Sequence, residues 1–91
     1  MKSVTLPEFW DRYAGLPEQI KQEARVVYTT WCNDPTYPSL EFKRLRKGFP
    51  HYSVRIAKGY RAVGTLDDDT LVWWWTGSHD AYMRLIAGLF R

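Results

Sequence analysis

Two spacings of apolar residues divide the chain into a helical first third and a strand-rich remainder. Four apolar residues recur at steps of four, three and four, namely Ile20, Ala24, Val27 and Trp31. This is the spacing of one helix face. From Phe42 onward apolar and polar positions alternate, which is typical of half-buried strands. The pattern predicts an α+β fold.

Prolines mark the ends of two predicted helices. Pro7 suits the first turn of a helix that runs to about Tyr13. Pro17 opens a second helix that runs to about Cys32, and Pro35 follows its end. Because the connection is short, we expect a helical hairpin whose apolar faces turn the same way.

Short turns separate four predicted strands, which should form an antiparallel meander. The strands are predicted at Phe42 to Arg46, Tyr52 to Ala57, Tyr60 to Leu66 and Leu71 to Thr76. Ser78 is a suitable cap for a short final helix. We therefore expect residues 1–91 to form a single domain, in which a helical hairpin packs on a four-stranded, mostly antiparallel sheet. Lys2 to Leu6 could add an edge strand.

The turn at Lys58-Gly59 decides which face of the sheet Arg61 occupies. A two-residue loop would pair Ile56 with Arg61 and direct Arg61 into the core. A three-residue loop would pair Ala57 with Arg61 instead, and Arg55 and Arg61 would then share an open face. Burial of an unpaired guanidinium is unfavourable by several kcal/mol, so the second register is predicted.

Positive charge is concentrated in one stretch. The chain has 13 Lys and Arg against 10 Asp and Glu, a net charge of +3. Residues 41–61 contain a single acid, Glu41, and seven basic residues: Lys43, Arg44, Arg46, Lys47, Arg55, Lys58 and Arg61. This distribution indicates either a patch that binds a polyanion or a charged strand edge that prevents aggregation. Charge alone favours neither.

Cysteine content and hydropathy limit the possible compartments. Cys32 is the only cysteine, which excludes an internal disulfide and a zinc knuckle. The longest apolar run, Leu71 to Trp75, is far shorter than the about 20 residues that a membrane span requires. Acidic and basic residues interrupt the first 30 positions, so no signal peptide is expected. We expect a cytoplasmic protein with no membrane partner.

Several motifs occur in an order that resembles the RelE/ParE superfamily, the bacterial toxins of type II toxin–antitoxin systems. They are Asp34-Pro35, Phe42-Lys43-Arg44-Leu45, Val54-Arg55-Ile56, Gly59-Tyr60-Arg61-Ala62-Val63, and Trp75-Thr76-Gly77-Ser78-His79 followed by Tyr82. The resemblance covers roughly residues 7–90. The ending from Trp75 to Tyr82 is closer to the RelE-like ribonucleases than to the ParE-like gyrase inhibitors.

The resemblance implies cleavage of messenger RNA in the ribosomal decoding site, and hence inhibition of translation. It also implies an antitoxin partner whose C-terminal segment wraps the basic face. Such cleavage proceeds by attack of the ribose 2′-hydroxyl on the adjacent phosphate and needs a base, an acid and a cation, with no metal or other cofactor.

Four residues match these catalytic roles. His79 is the predicted general acid or base, because its unperturbed pKa lies near neutrality. Tyr82, one helical turn later, is its predicted partner in proton transfer or base stacking. Arg61 would stabilise the phosphate in the transition state, with Arg55 beside it. The residues predicted to hold the RNA backbone are Lys43, Arg44, Arg46, Lys47 and Lys58.

Simpler interpretations remain open for each of these residues. His79 could cap the last helix, Tyr82 could belong to the core, and any one of the lysines could be a solvated charge. Glu41 could act as a base, although an ion pair with Lys43 is favoured. His51 is a weaker catalytic candidate in a loop. Two other functions also remain: a ParE-like inhibitor of DNA gyrase that is not a nuclease, and a non-catalytic RNA-binding protein.

Overall fold

The chain forms one five-stranded sheet and three helices. A computed structural model describes residues 1–91. In chain order the elements are β1 (Lys2–Thr5), α1 (Pro7–Ala14), α2 (Glu18–Asn33), a 3-10 turn (Pro38–Leu40), β2 (Lys43–Arg44), β3 (His51–Ala57), β4 (Tyr60–Asp67), β5 (Thr70–Ser78) and α3 (His79–Leu89). The predicted α+β architecture is confirmed. No helix is both long and apolar enough to cross a membrane.

The sheet has one strand more than the four predicted. Its order is β1-β5-β4-β3-β2, and β2 to β5 form the expected antiparallel meander. The additional strand is β1, which pairs in parallel with β5 from Lys2 opposite Thr70 to Thr5 opposite Trp73. The short N-terminal segment, an optional edge strand on sequence grounds, is therefore part of the sheet.

The helical hairpin of α1 and α2 packs on one face of the sheet, which we call the hairpin face. Trp31 of α2 is almost fully buried, and its ring contacts Trp73 of β5 edge to face at 5.4 Å between centroids. The buried side chains on this face are Trp31, Leu40, Val54, Ile56, Ala62, Leu71 and Trp73. This cluster confirms the apolar face predicted for the second helix.

Helix α3 packs on the other face, which we call the α3 face. Ser78 caps the helix, since its Oγ accepts a hydrogen bond from the Ala81 backbone N–H at 3.3 Å. A second buried cluster of Val63, Trp75 and Tyr82 lies beneath this helix. The end of β5 thus leads directly into a helix that folds back over the sheet.

A bulge in β5 separates Trp73 from Trp75. Trp73 lies opposite Gly64 and Trp75 opposite Val63, so Trp74 has no direct partner on β4. Strict alternation would have put Trp73 and Trp75 on the same face, whereas they belong to different cores. The bulge is thus what allows β5 to supply one large aromatic ring to each face.

The predicted pairing of Ala57 with Arg61 is wrong, although the predicted face is correct. Ala57 pairs with Tyr60 across a two-residue turn in which Gly59 has φ of +80°. A register shift follows, and Arg61 pairs with Arg55. This irregularity on β3 puts Arg61 back on the face of Arg55, whereas the two-residue turn alone would have put it on the face of Ile56. Arg55 and Arg61 therefore do share a face.

Candidate functional site

Arg61 was predicted to lie on an open face of the sheet, and this is wrong. Only 7% of the residue is exposed, and it lies at the centre of a group of polar side chains. Its Nη1 donates to Glu41 Oε1 at 3.1 Å. Its Nη2 donates to the Glu41 carbonyl oxygen at 3.2 Å and to Ser53 Oγ at 3.0 Å. These acceptors and the paired charge compensate for most of the lost hydration, although the buried Nε has no hydrogen-bond partner within the chain.

Tyr82 belongs both to the core and to this cluster. It is 5% exposed, and its hydroxyl lies 3.2 Å from Ser53 Oγ. The Arg61 guanidinium lies over the Tyr82 ring, 5.3 Å from its centroid. The Tyr82 hydroxyl is therefore directed into a buried network of hydrogen bonds. A catalytic role for Tyr82 stays a prediction.

His79 is the first residue of α3 and is exposed to solvent. Its backbone N–H donates to the Gly59 carbonyl oxygen at 2.7 Å, which fixes the helix start against the β3–β4 turn. Its ring lies beside that of Tyr82, with 5.9 Å between centroids. Since Ser78 is the helix cap, the imidazole of His79 is not needed for capping and faces solvent next to the cluster.

Glu41 contacts Arg61, which the sequence analysis did not predict. It pairs with Arg61 at 3.1 Å, and the expected ion pair with Lys43 does not form. The hydrogen bond from Arg61 is the main reason that the pKa of this carboxyl lies below its ordinary value. Desolvation opposes it, and the charges of Arg61, Arg55 and Lys43 lower the pKa further. The carboxylate is half exposed.

The backbone around Glu41 explains its position. Glu41 follows the 3-10 turn and has φ of +46°, in the left-handed region that non-glycine residues rarely adopt. This conformation lets both the side chain and the carbonyl of one residue face Arg61. The only sequence signal for it was that Glu41 is the sole acid in a basic stretch.

The remaining basic residues surround the cluster unevenly. Lys43 and Arg55 both act electrostatically on the Glu41 carboxylate, and Arg55 is half buried. Arg44 is exposed but donates to the Tyr52 hydroxyl, and exposed Arg46 donates to the Phe90 carbonyl oxygen. Lys47 and Lys58 are exposed in turns. The predicted RNA-contacting side chains are thus accessible, although the two arginines are partly engaged within the chain.

His51 lies apart from this cluster. It begins β3, four residues before Arg55, and its ring packs against those of Phe90 at 5.9 Å, Phe49 at 6.3 Å and Trp74 at 6.4 Å. An aromatic environment of this kind indicates a packing role.

We call this group of polar side chains the Arg61 cluster; it consists of Glu41, Ser53, Arg55, Arg61, His79 and Tyr82. It joins β3, β4, α3 and the loop before β2. Chemically it offers an ionised carboxylate, an exposed imidazole and two guanidinium groups within one region of the α3 face. This combination can bind a phosphate and move protons near it.

A family model described as the ParE-like toxin domain matches residues 18–84. The match includes every member of the Arg61 cluster. No curated protein matches the sequence significantly.

Several solved structures share the fold. A structure of the RelB–RelE antitoxin–toxin complex from Methanococcus jannaschii matches with a TM-score of 0.72 at 15% identity, covering 97% of this chain and 99% of that one. YafQ from Escherichia coli matches with a TM-score of 0.70 at 14% identity, covering 89% and 96%. The isolated RelE toxin of Escherichia coli matches with a TM-score of 0.65 at 11% identity, covering 98% of each chain.

Proposed function

This chain belongs to the ParE-like toxin family, and we propose that it is the toxin of a type II toxin–antitoxin system that cleaves messenger RNA on the ribosome. The observation that carries the proposal is the Arg61 cluster, in which an ionised carboxylate, an exposed histidine and paired arginines lie together. A protein that only blocks gyrase by contact does not need this set of proton-transfer groups.

In the proposed reaction the ribose 2′-oxygen attacks the adjacent phosphorus, and the bond to the 5′-oxygen of the next nucleotide breaks. A base takes the 2′-hydroxyl proton, and an acid protonates the departing 5′-oxygen. His79 is the proposed acid, because an imidazole can be protonated near neutral pH and this one is exposed. The products are a 2′,3′-cyclic phosphate and a free 5′-hydroxyl.

Glu41 is the proposed base. Its carboxylate is accessible to solvent, and the hydrogen bond from Arg61 keeps its pKa below the ordinary value of 4.5. A bound phosphate next to Arg55 and Lys43 would offset their positive charge. The pKa of Glu41 would then rise slightly, while the Arg61 hydrogen bond, the largest cause of the lowered pKa, would remain.

Arg61 and Arg55 have different proposed roles. Arg61 is buried and holds Glu41, so we assign it to positioning. Arg55 lies directly opposite it, is more exposed and is the proposed contact to the reacting phosphate. Tyr82 supports both Arg61 and His79 with its ring. The exposed residues proposed to hold the RNA backbone are Lys43, Arg44, Arg46, Lys47 and Lys58.

An antitoxin is the proposed protein partner. The Methanococcus jannaschii structure is a complex of a toxin of this fold with the antitoxin RelB. In our chain the excess positive charge lies on residues 41–61, so an acidic segment is the expected complement. Such a segment would compete with RNA for the same surface.

The test is a cell-free translation reaction that receives purified protein, followed by primer extension along the reporter messenger RNA. We expect cleavage that requires translation. His79→Ala should reduce its rate by roughly 10²- to 10⁴-fold, the usual contribution of a general acid. Because His79 is exposed, circular dichroism should show an unchanged fold.

Lys2→Ala is the matched control, since Lys2 is an exposed residue on β1, away from the cluster. It should cleave like the unaltered protein. Cleavage at the normal rate by His79→Ala would refute the assigned acid. Intact messenger RNA in every reaction would refute the nuclease itself.

The second candidate is inhibition of DNA gyrase, which is favoured by the ParE-like description of the matched family. It would leave messenger RNA intact and block supercoiling by purified gyrase. Growth inhibition would then be the same in the unaltered protein and in His79→Ala. The supercoiling assay thus separates the two candidates.

A further inference from the structure

The last part of β5 contacts the helical hairpin through an arginine. β1 pairs with β5 only as far as Trp73, so the edge of β5 beyond that residue has no strand partner on this side. Arg12 of α1 reaches this edge, where its Nε–H donates to the Thr76 carbonyl oxygen at 3.0 Å. Its guanidinium also lies over the Trp75 ring, 4.9 Å from the ring centroid. The residue as a whole is exposed, but its guanidinium is held by these two contacts.

Two nitrogens of this guanidinium have no acceptor within the chain. Nη1 and Nη2 of Arg12 form no hydrogen bond and no ion pair. In Arg61, by contrast, both Nη groups donate to Glu41, and one of them also donates to Ser53. The free N–H groups of a guanidinium form a planar fork that matches two oxygens of a phosphate. Because Nε and the ring contact hold it in place, Arg12 is preorganised to bind an anion.

Arg12 lines an open cleft of about 500 Å³ between α1, the end of β5 and the start of α3. Its Nη2 lies 3.5 Å from the position that a Cβ would take on Gly77, so the missing side chain there leaves room for the guanidinium. Three of the ten lining residues are hydrophobic, which suits a polar ligand. Asp11 is the one acid in the lining, and it forms no ion pair with Arg12.

The cleft adjoins His79, the proposed acid. Ser78, which directly precedes His79, lines the cleft, and so does Tyr60. The neighbour of Tyr60, Gly59, accepts the backbone N–H of His79 through its carbonyl oxygen at 2.7 Å. An RNA strand whose reacting phosphate lies at His79 therefore passes close to the cleft.

Strand order places Arg12 apart from the other proposed RNA contacts. In the order β1-β5-β4-β3-β2, Lys43 and Arg44 belong to β2 and Arg55 to β3, on one side of the β4–β5 pair. Arg12 contacts the opposite edge of β5. An RNA strand that crosses the sheet from β2 and continues past His79 thus arrives at Arg12.

We propose that Arg12 binds an RNA phosphate in this cleft. The inference rests on the proposed nuclease, because it takes RNA as the anion that reaches His79. The basic residues of β2 and β3 hold the strand on one side of the reacting phosphate, and Arg12 holds it on the other. Contacts on both sides limit the movement of the reacting phosphate relative to His79.

The test is the salt dependence of RNA binding by the full chain. The probe is a fluorescein-labelled single-stranded RNA of about 12 nucleotides, followed by fluorescence anisotropy. Its 2′-O-methyl groups prevent cleavage by attack of the 2′-oxygen. A plot of log affinity against log salt concentration has a slope of about −0.7 per phosphate contacted. Arg12→Gln should make the slope shallower by about 0.7, so that raising the salt four-fold weakens its binding about two- to three-fold less than that of the unaltered protein.

Two variants separate a phosphate contact from a structural role. Arg12→Lys keeps the charge and should keep the slope, while loss of the fork should weaken binding. Arg25→Gln makes the same change of charge at an exposed residue of α2 outside the cleft, and its slope should equal that of the unaltered protein. An Arg12→Gln protein with a lower urea midpoint and the full slope would overturn the proposal, because Arg12 would then only join α1 to β5. Failure of the unaltered protein to bind the probe at low salt would overturn it as well.

Translation-dependent cleavage by the same proteins separates this proposal from the nuclease. Cleavage by the unaltered protein, together with the full slope in Arg12→Gln, would overturn the Arg12 contact alone. A shallower slope in Arg12→Gln, with no cleavage by the unaltered protein, would support the contact and refute the nuclease alone.

Discussion

The hydroxyl and the ring of Tyr82 have separate roles, and two substitutions can distinguish them. The hydroxyl contacts Ser53 in a buried network, whereas the ring supports the Arg61 guanidinium and lies beside His79. Tyr82→Phe removes the hydroxyl alone. Tyr82→Ala removes the ring as well.

The expected loss for Tyr82→Phe follows from the acceptors that remain. Ser53 Oγ keeps its hydrogen bond from Arg61 Nη2 at 3.0 Å, so no buried polar atom is left without a partner. The free energy of unfolding should therefore fall by about 1 kcal/mol, the net value of a single neutral hydrogen bond. For a domain of this size that corresponds to a decrease in Tm of about 4–8 °C.

Tyr82→Ala should lower the free energy of unfolding by more than Tyr82→Phe does, because the side chain is 5% exposed and packs with Val63 and Trp75. Removal of a buried aromatic ring lowers the free energy of unfolding by about 3–5 kcal/mol. That is a large part of the about 5–15 kcal/mol that holds most domains folded.

Urea denaturation followed by tryptophan fluorescence measures both losses, and an unchanged m-value shows that they compare the same transition. Translation-dependent cleavage should persist in Tyr82→Phe, because the ring remains under Arg61 and beside His79. If Tyr82→Phe abolished cleavage at unchanged stability, the hydroxyl would be a proton-transfer group and the separation drawn above would be refuted. Equal stability of the two variants would refute the packing argument.

Two further predictions concern stability alone. The pKa of Glu41 is lowered in the folded protein, so its contribution is present above the ordinary pKa of 4.5 and is lost as the pH falls through the folded value. The urea midpoint of the unaltered protein should therefore exceed that of Glu41→Gln at neutral pH, and the difference should shrink in acid; a gap independent of pH would contradict this. Gly64→Ala should lower the free energy of unfolding by about 1–3 kcal/mol, because a Cβ there would lie 3.0 Å from the Trp73 ring and from the Val72 carbonyl oxygen. Gly88→Ala in α3, where nothing lies within 4 Å, is the control and should instead raise stability by up to about 1 kcal/mol.

Much of the fold follows from local patterns in the chain. Apolar spacing predicted α2 and its buried Trp31, and alternation predicted the meander. The shared face of Arg55 and Arg61 was predicted from the cost of burying an unpaired guanidinium; the face is correct, although Arg61 is buried with partners. Ser78 was identified as the cap of α3 from its residue type and position. These features depend on neighbours within a few residues, which a single sequence displays directly.

The features that the sequence left open or did not reveal depend on partners far apart along the chain. The N-terminal segment was only a possible edge strand, because its pairing depends on the free edge of β5. The β5 bulge that sends Trp73 and Trp75 to different cores is a property of pairing with β4. The spacing of apolar residues within one strand does not indicate such a shift in register.

The candidate site shows the same division. Sequence pattern identified His79, Tyr82, Arg61 and Arg55 as residues that should act together, and the tertiary structure brings them together. It also decided that Arg61 is buried, because Glu41 reaches it from a loop 20 residues earlier. A buried guanidinium depends on an acceptor supplied by another part of the fold, and only the folded chain shows where that acceptor lies.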